Sequence, residues 1–156
     1  MLSAPLSYVK YSSHVFNDDF KKHAYTGEDF FHIWSYDGLL PENIFTVLPD
    51  IKTIQLCTRR TTIPEGIFNG LGNLHTLDLS NHTEPFPENV FMLPEGIFNG
   101  LGNLLTLNLY NYKGLLTSDG FNELVNLRLL ATKNVHLSHA DLQTLRARGV
   151  MAHIAP

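Results

Sequence analysis

The sequence predicts an α/β fold: a short solenoid with a curved parallel β-sheet on its concave side and loops and short helical turns on its convex side. Two observations carry this. A Pro-Glu-x-apolar-Phe unit is written at residues 41–45, 64–68, 87–91 and 94–98, with starts 23, 23 and 7 residues apart. A box of apolar residues at relative positions 1, 4 and 6 also recurs. It is clearest at Leu74, Leu77 and Leu79 and at Leu104, Leu107 and Leu109. An earlier form is Ile51, Ile54 and Leu56, and a later one is Leu127, Leu130 and Thr132, where threonine takes a place expected for leucine. The first box residues lie 23, 30 and 23 apart, so one coil has been widened by seven residues.

Each part of the unit has a physical role. Alternation in Leu77-Asp78-Leu79 and Leu107-Asn108-Leu109 is the pattern of a short strand with one buried face. Upstream, Phe68, Leu71 and Leu74 fall on one side of a loose helical turn. Gly70 and Gly72 permit tight turns, and Pro64 and Pro94 stop regular structure from running through. One such coil cannot bury its own apolar face, so coils must stack and share a core.

The boxes, with the preceding Pro and Phe positions, resemble leucine-rich repeat proteins of the "typical" class, as in Toll-like receptors and lamprey variable lymphocyte receptors. The resemblance covers residues 39–156, about three quarters of the chain and four to five coils. It implies a protein-binding solenoid. In that family an asparagine after the strand box caps backbone groups along a ladder. Here that column holds Arg59, His82, Tyr112 and Val135, while Asn81, Asn111 and Asn134 stand one place earlier. Unpaired buried backbone groups cost about 1–3 kcal/mol each, so irregularity is expected along this line.

Residues 1–38 lie outside the repeat and are rich in aromatic residues, Trp34 and Tyr36 among them, which suits a cap over the first coil. His14, His23 and His32 recur every nine residues with Asp19, Glu28 and Asp37 each five further on, but nine-residue spacing is no ligand spacing, and no metal site is assigned. At the other end, Ser138 and Asp141 form a capping-box start, with Leu142 and Leu145 on one helical face. Met151 and Ile154 are spaced as the start of another strand box, so the chain stops as a minimal edge or a truncated repeat.

Composition narrows the function. A chain of 156 residues with 44% hydrophobic content suits one domain, and eleven scattered basic residues with a net charge of −4 do not suit a nucleic-acid surface. Cys57 is the single cysteine, which excludes an internal disulfide framework and favours an intracellular setting over a secreted one. Neither a signal peptide nor a membrane span is legible, and the compartment is left open. No nucleophile elbow, phosphate loop, zinc-protease or paired-cysteine motif occurs, so no catalytic residue, cofactor or small-molecule substrate is expected. Gly70-Leu71-Gly72 and Gly100-Leu101-Gly102 belong to the repeat, and His136 and His139 suit a helix start better than ligation.

What remains is a surface. Residues between the box positions point away from the core in three columns: Thr53, Thr76, Thr106 and Leu129; Gln55, Asp78, Asn108 and Ala131; Cys57, Ser80, Tyr110 and Lys133. The threonines follow from strand propensity. Gln55, Asp78, Ser80, Asn108, Tyr110 and Lys133 are the candidate contacts for a protein partner, an aromatic beside adaptable polar groups being a plausible anchor. The expected function is a non-catalytic protein-interaction module. The alternatives are a substrate-recognition arm of a ubiquitin ligase or receptor-type assembly, and a nonfunctional fragment of a larger repeat family. Of the two adjacent Phe units, Phe98 is expected in the core, because residues 99–104 lead directly into its strand box, with residues 83–91 bulging and Phe91 displaced.

Overall fold

A computed structural model of the protein describes residues 23–40, 44–46, 48, 50–58, 63–80, 96–112, 118–133 and 137–155. Among these, seven strands form one sheet in chain order: β1 (Ala24–Thr26), β2 (Phe30–Trp34), β3 (Thr53–Cys57), β4 (Thr76–Asp78), β5 (Thr106–Tyr110), β6 (Leu129–Lys133) and β7 (Met151–Ala155). β1 and β2 form an antiparallel hairpin, and every later pairing is parallel. The chain is a parallel β-solenoid.

Register follows the apolar boxes. Ile54, Leu77, Leu107 and Leu130 pair in sequence across β3 to β6, and all four are fully buried. Leu74, Leu104 and Leu127 form a second buried column, and Leu56, Leu79 and Leu109 a third. Burying each such side chain is worth roughly 1.5–3 kcal/mol, so a column shared by several coils far outweighs any one of them. Thr132 continues the third column in β6; it is buried, and its hydroxyl has no hydrogen-bond partner. The unit phenylalanines stack from coil to coil. Phe45 lies parallel to Phe68 with ring centroids 5.9 Å apart, Phe98 stacks on Phe121 at 6.3 Å, and Phe31 meets Phe45 edge-on at 5.1 Å.

Phe98 is 2% exposed and takes the plug position expected of it. Residues 83–91, with Phe91, lie outside the described residues.

The connections opposite the sheet are successive hydrogen-bonded turns. The N–H of Asn69 donates to Gly66 O (2.9 Å), that of Leu71 to Phe68 O (3.3 Å) and that of Leu74 to Leu71 O (2.9 Å). The next coil repeats the pattern, from Asn99 to Gly96, Leu101 to Phe98 and Leu104 to Leu101. Gly66 explains why no α-helix forms here. Its φ of +69° is left-handed, and a Cβ at this position would stand 2.7 Å from the Asn69 amide nitrogen. A short 3₁₀ turn, Ser118–Phe121, does the same work one coil later.

Coils are tied together at two lines besides the sheet. Just before each strand, one carbonyl accepts from two successive N–H groups of the next coil. Lys52 O takes His75 and Thr76, His75 O takes Leu105 and Thr106, and Leu105 O takes Arg128 and Leu129, all at 2.9–3.0 Å. At the turns, Asn103 Nδ2 donates to Gly72 O at 2.7 Å and Asn126 Nδ2 to Gly102 O at 2.8 Å. Asparagines therefore do link neighbouring coils, but from the position before the strand box. In the column after the box, Tyr112 is buried, while Asn111 adopts φ +59° and its N–H donates to Lys133 O (3.2 Å). Arg59, Asn81, His82, Asn134 and Val135 lie outside the described residues.

The ends differ from expectation in two ways. The sheet begins at residues assigned to the cap: Phe31 and Ile33 pair with Ile54 and Leu56 and are fully buried beside them. At the C-terminal end, the helix α1 (His139–Ala147) has the expected cap, with Asp141 N donating to Ser138 Oγ and Ser138 N donating to the Asp141 carboxylate. Leu145 and Val150 are buried, and the Arg148 guanidinium donates to the carbonyls of Phe121 and Leu124. Met151 does not begin a strand box. It pairs with Leu129, and Ala152 and Ile154 continue the inward columns of Leu130 and Thr132 instead.

Candidate functional site

The outward residues of β2 to β7 form the open face of the sheet. Register extends the three sequence columns at both ends. The first becomes Phe30, Thr53, Thr76, Thr106, Leu129 and Met151. The middle column is His32, Gln55, Asp78, Asn108, Ala131 and His153. The last contains Trp34 and Cys57, then Tyr110, Lys133 and Ala155, with Ser80 just beyond the end of β4. Sequence reasoning missed Phe30, His32, Trp34, Met151 and His153. The signal for the first three was available, since stepping 23 residues back from Thr53 lands on Phe30.

Around Asp78 the polar groups serve one another. Its Oδ1 accepts from Ser80 N–H at 2.8 Å, and its Oδ2 receives a long bond from Gln55 Nε2 at 3.5 Å. Asn108, its register partner on β5, repeats the first of these, with Oδ1 accepting from Tyr110 N–H at 3.0 Å. Both side chains thus cap the backbone where a strand ends. Three predicted contacts, Gln55, Asp78 and Ser80, are brought together here.

Two ionisable groups flank Asp78. Burial lowers the pKa of His32 below its ordinary value, against the opposing pull of the Asp78 carboxylate. Burial also pushes the Cys57 thiol up, and the Asp78 charge adds to this, while a hydrogen bond with Ser80 works the other way. The thiol is accordingly protonated at neutral pH and poorly suited to nucleophilic chemistry.

The remaining predicted contacts form a second group. Lys133 Nζ stands 5.6 Å from the centre of the Tyr110 ring, in the range of a cation–π contact. At the opposite end of the face, Trp34 is 37% exposed and meets the His32 ring edge-on at 5.5 Å. The face therefore has one aromatic at its β2 end, another on β5, and an internally bonded polar group between them.

No protein-family model matches the chain, and no curated protein matches it.

Of the nine-residue histidine series, His23 and His32 have separate surroundings. His23 Nδ1 lies 3.3 Å from Trp34 O, and its ring packs against Tyr36. His14 and Asp19 lie outside the described residues. Among those described, no group of three or more His, Cys, Asp and Glu could hold a metal ion, and no helix is long and apolar enough to cross a membrane.

Proposed function

We propose that this protein is a leucine-rich-repeat-type solenoid that acts as a non-catalytic protein-interaction module, binding its partner on the open face of the sheet. The observation that carries the reading is the outward row of exposed Trp34 and part-buried Tyr110 and Lys133 on an in-register sheet. Aromatic and cationic groups held on a scaffold of paired strands lose little freedom on binding, which is what makes such residues effective anchors. The lack of catalytic motifs in the sequence and the protonated thiol of Cys57 support a binding role over a chemical one.

Affinity capture from the native source, with the intact chain as bait, tests this. A partner held by the wild type should be lost with Tyr110→Ala or Trp34→Ala and retained with Asn69→Ala, on the turn side. Capture that survives both sheet-face substitutions and fails with Asn69→Ala would move the site to the opposite side.

A further inference from the structure

Charge is divided unevenly along this chain. Residues 96–156 carry five Lys and Arg against three Asp and Glu, whereas residues 1–95 carry six against twelve. In the C-terminal part, two of the three acidic residues, Asp119 and Glu123, sit in or beside the 3₁₀ turn, away from the sheet, and Asp141 is bonded to Ser138 within α1. Of the five cations, Arg148 is turned to backbone carbonyls. Lys133 lies on the open face of β6, and Arg128 is exposed at the rim just before that strand.

The result is local. Among the described residues of β5 to β7 and their upstream rim, the open face presents Lys133, Arg128 and His153 and no carboxylate. Among the described residues of the other half, two carboxylates near the face have partners. Asp78 accepts from Ser80 and Gln55, and Asp29 lies 3.9 Å from Lys52. Tyr110 lies beside Lys133 across the register, and next to Arg128 come part-buried Leu129 and its partner Met151, which is 68% exposed. A strip three strands wide spans about 10 Å, the width of a single extended chain with its side chains.

We propose that this half of the open face, with Tyr110, Arg128, Lys133, Met151 and His153, binds an extended acidic segment of a protein partner that carries an apolar side chain among its carboxylates. The inference rests on the sheet-face reading above and adds the chemistry of the occupant. Separate carboxylates meet Lys133 and Arg128, which lie at opposite ends of β6, and the apolar group between them meets Leu129 and Met151. A predominantly acidic protein with a cationic strip attracts such a segment there and repels it elsewhere.

The test is fluorescence anisotropy of the intact chain with a rhodamine-labelled ten-residue peptide of glutamates around a central leucine. The same peptide with lysines and a ten-nucleotide single-stranded DNA serve as controls. The glutamate peptide should bind at least tenfold more tightly than the lysine peptide and weaken between 50 and 200 mM salt. Lys133→Glu and Arg128→Glu should each reduce binding about tenfold with an unchanged circular dichroism spectrum. Equal binding of the lysine peptide, tighter binding of the DNA, self-association of the chain in place of peptide binding, or indifference to both charge reversals would overturn the proposal. If Tyr110→Ala abolishes capture of the natural partner while both reversals leave it intact, the acidic occupant is wrong and the sheet-face reading survives. If capture is indifferent to all three, both fail.

Discussion

Asp78 and Asn108 face each other in register on β4 and β5, and each turns its Oδ1 back to the N–H two residues on, Ser80 at 2.8 Å and Tyr110 at 3.0 Å. One is charged and the other is not, yet the bond is the same. Asp78→Asn should therefore leave stability within about 0.5 kcal/mol of wild type, and Asp78→Ala or Asn108→Ala should cost about 1–2 kcal/mol, the loss of one hydrogen bond and exposure of its donor. Urea midpoints at unchanged m-value measure this. A large loss in Asp78→Asn would show that the charge itself holds the strand end.

Phe98 is the plug of the widened coil and stacks on Phe121. Phe98→Ala should destabilise by about 3–5 kcal/mol, and Phe98→Leu by no more than about 1.5 kcal/mol. Thermal unfolding followed by circular dichroism separates the two. If Phe98→Ala were neutral, another residue would have to fill the space.

Asn103→Ala and Asn126→Ala each remove one bond between coils and should each cost about 0.5–1.5 kcal/mol. The two bonds have different partners, so the double variant should lose close to the sum. Denaturant titration of the two singles and the double is the check. A double variant no weaker than either single would mean that the two bonds act as one unit.

His32 makes stability depend on pH. Its pKa is lowered in the folded state from an ordinary value of 6.5, chiefly by burial. Below that value the unfolded chain binds more protons than the folded one, so stability falls as pH drops past 6.5 and goes on falling until the folded pKa is passed. His32→Gln should flatten this drop between pH 7.5 and 5.5 relative to wild type. An identical pH profile in the variant would assign the dependence to other histidines.

Much of the solenoid was legible because leucine and isoleucine mark its inward columns. Ile51 to Leu56, Leu74 to Leu79 and Leu104 to Leu109 all fall where their spacing puts them. Strand β2 was hidden because Phe31 and Ile33 fill the same columns with different shapes, inside a stretch whose many aromatics suggested a cap. Strand β7 was misplaced because Ala152 gives almost no hydrophobic signal at an inward position, while Met151, exposed, gives a strong one. The links of Asn103 and Asn126 were not legible: asparagine before a leucine reads as part of a turn, and only the fold shows its amide reaching Gly72 or Gly102. At the open face, the sequence named Asp78, Asn108 and Tyr110 but could not show that the first two are occupied by their own backbone.

Asn103 and Asn126 each reach backward, from a coil to the one made before it. Every such unit arrives carrying its own fastener to its predecessor and a turn carbonyl ready to receive the next. A segment copied in whole units therefore brings its own link to the coil before it, so an array of this design can gain a coil without a compensating change in that link.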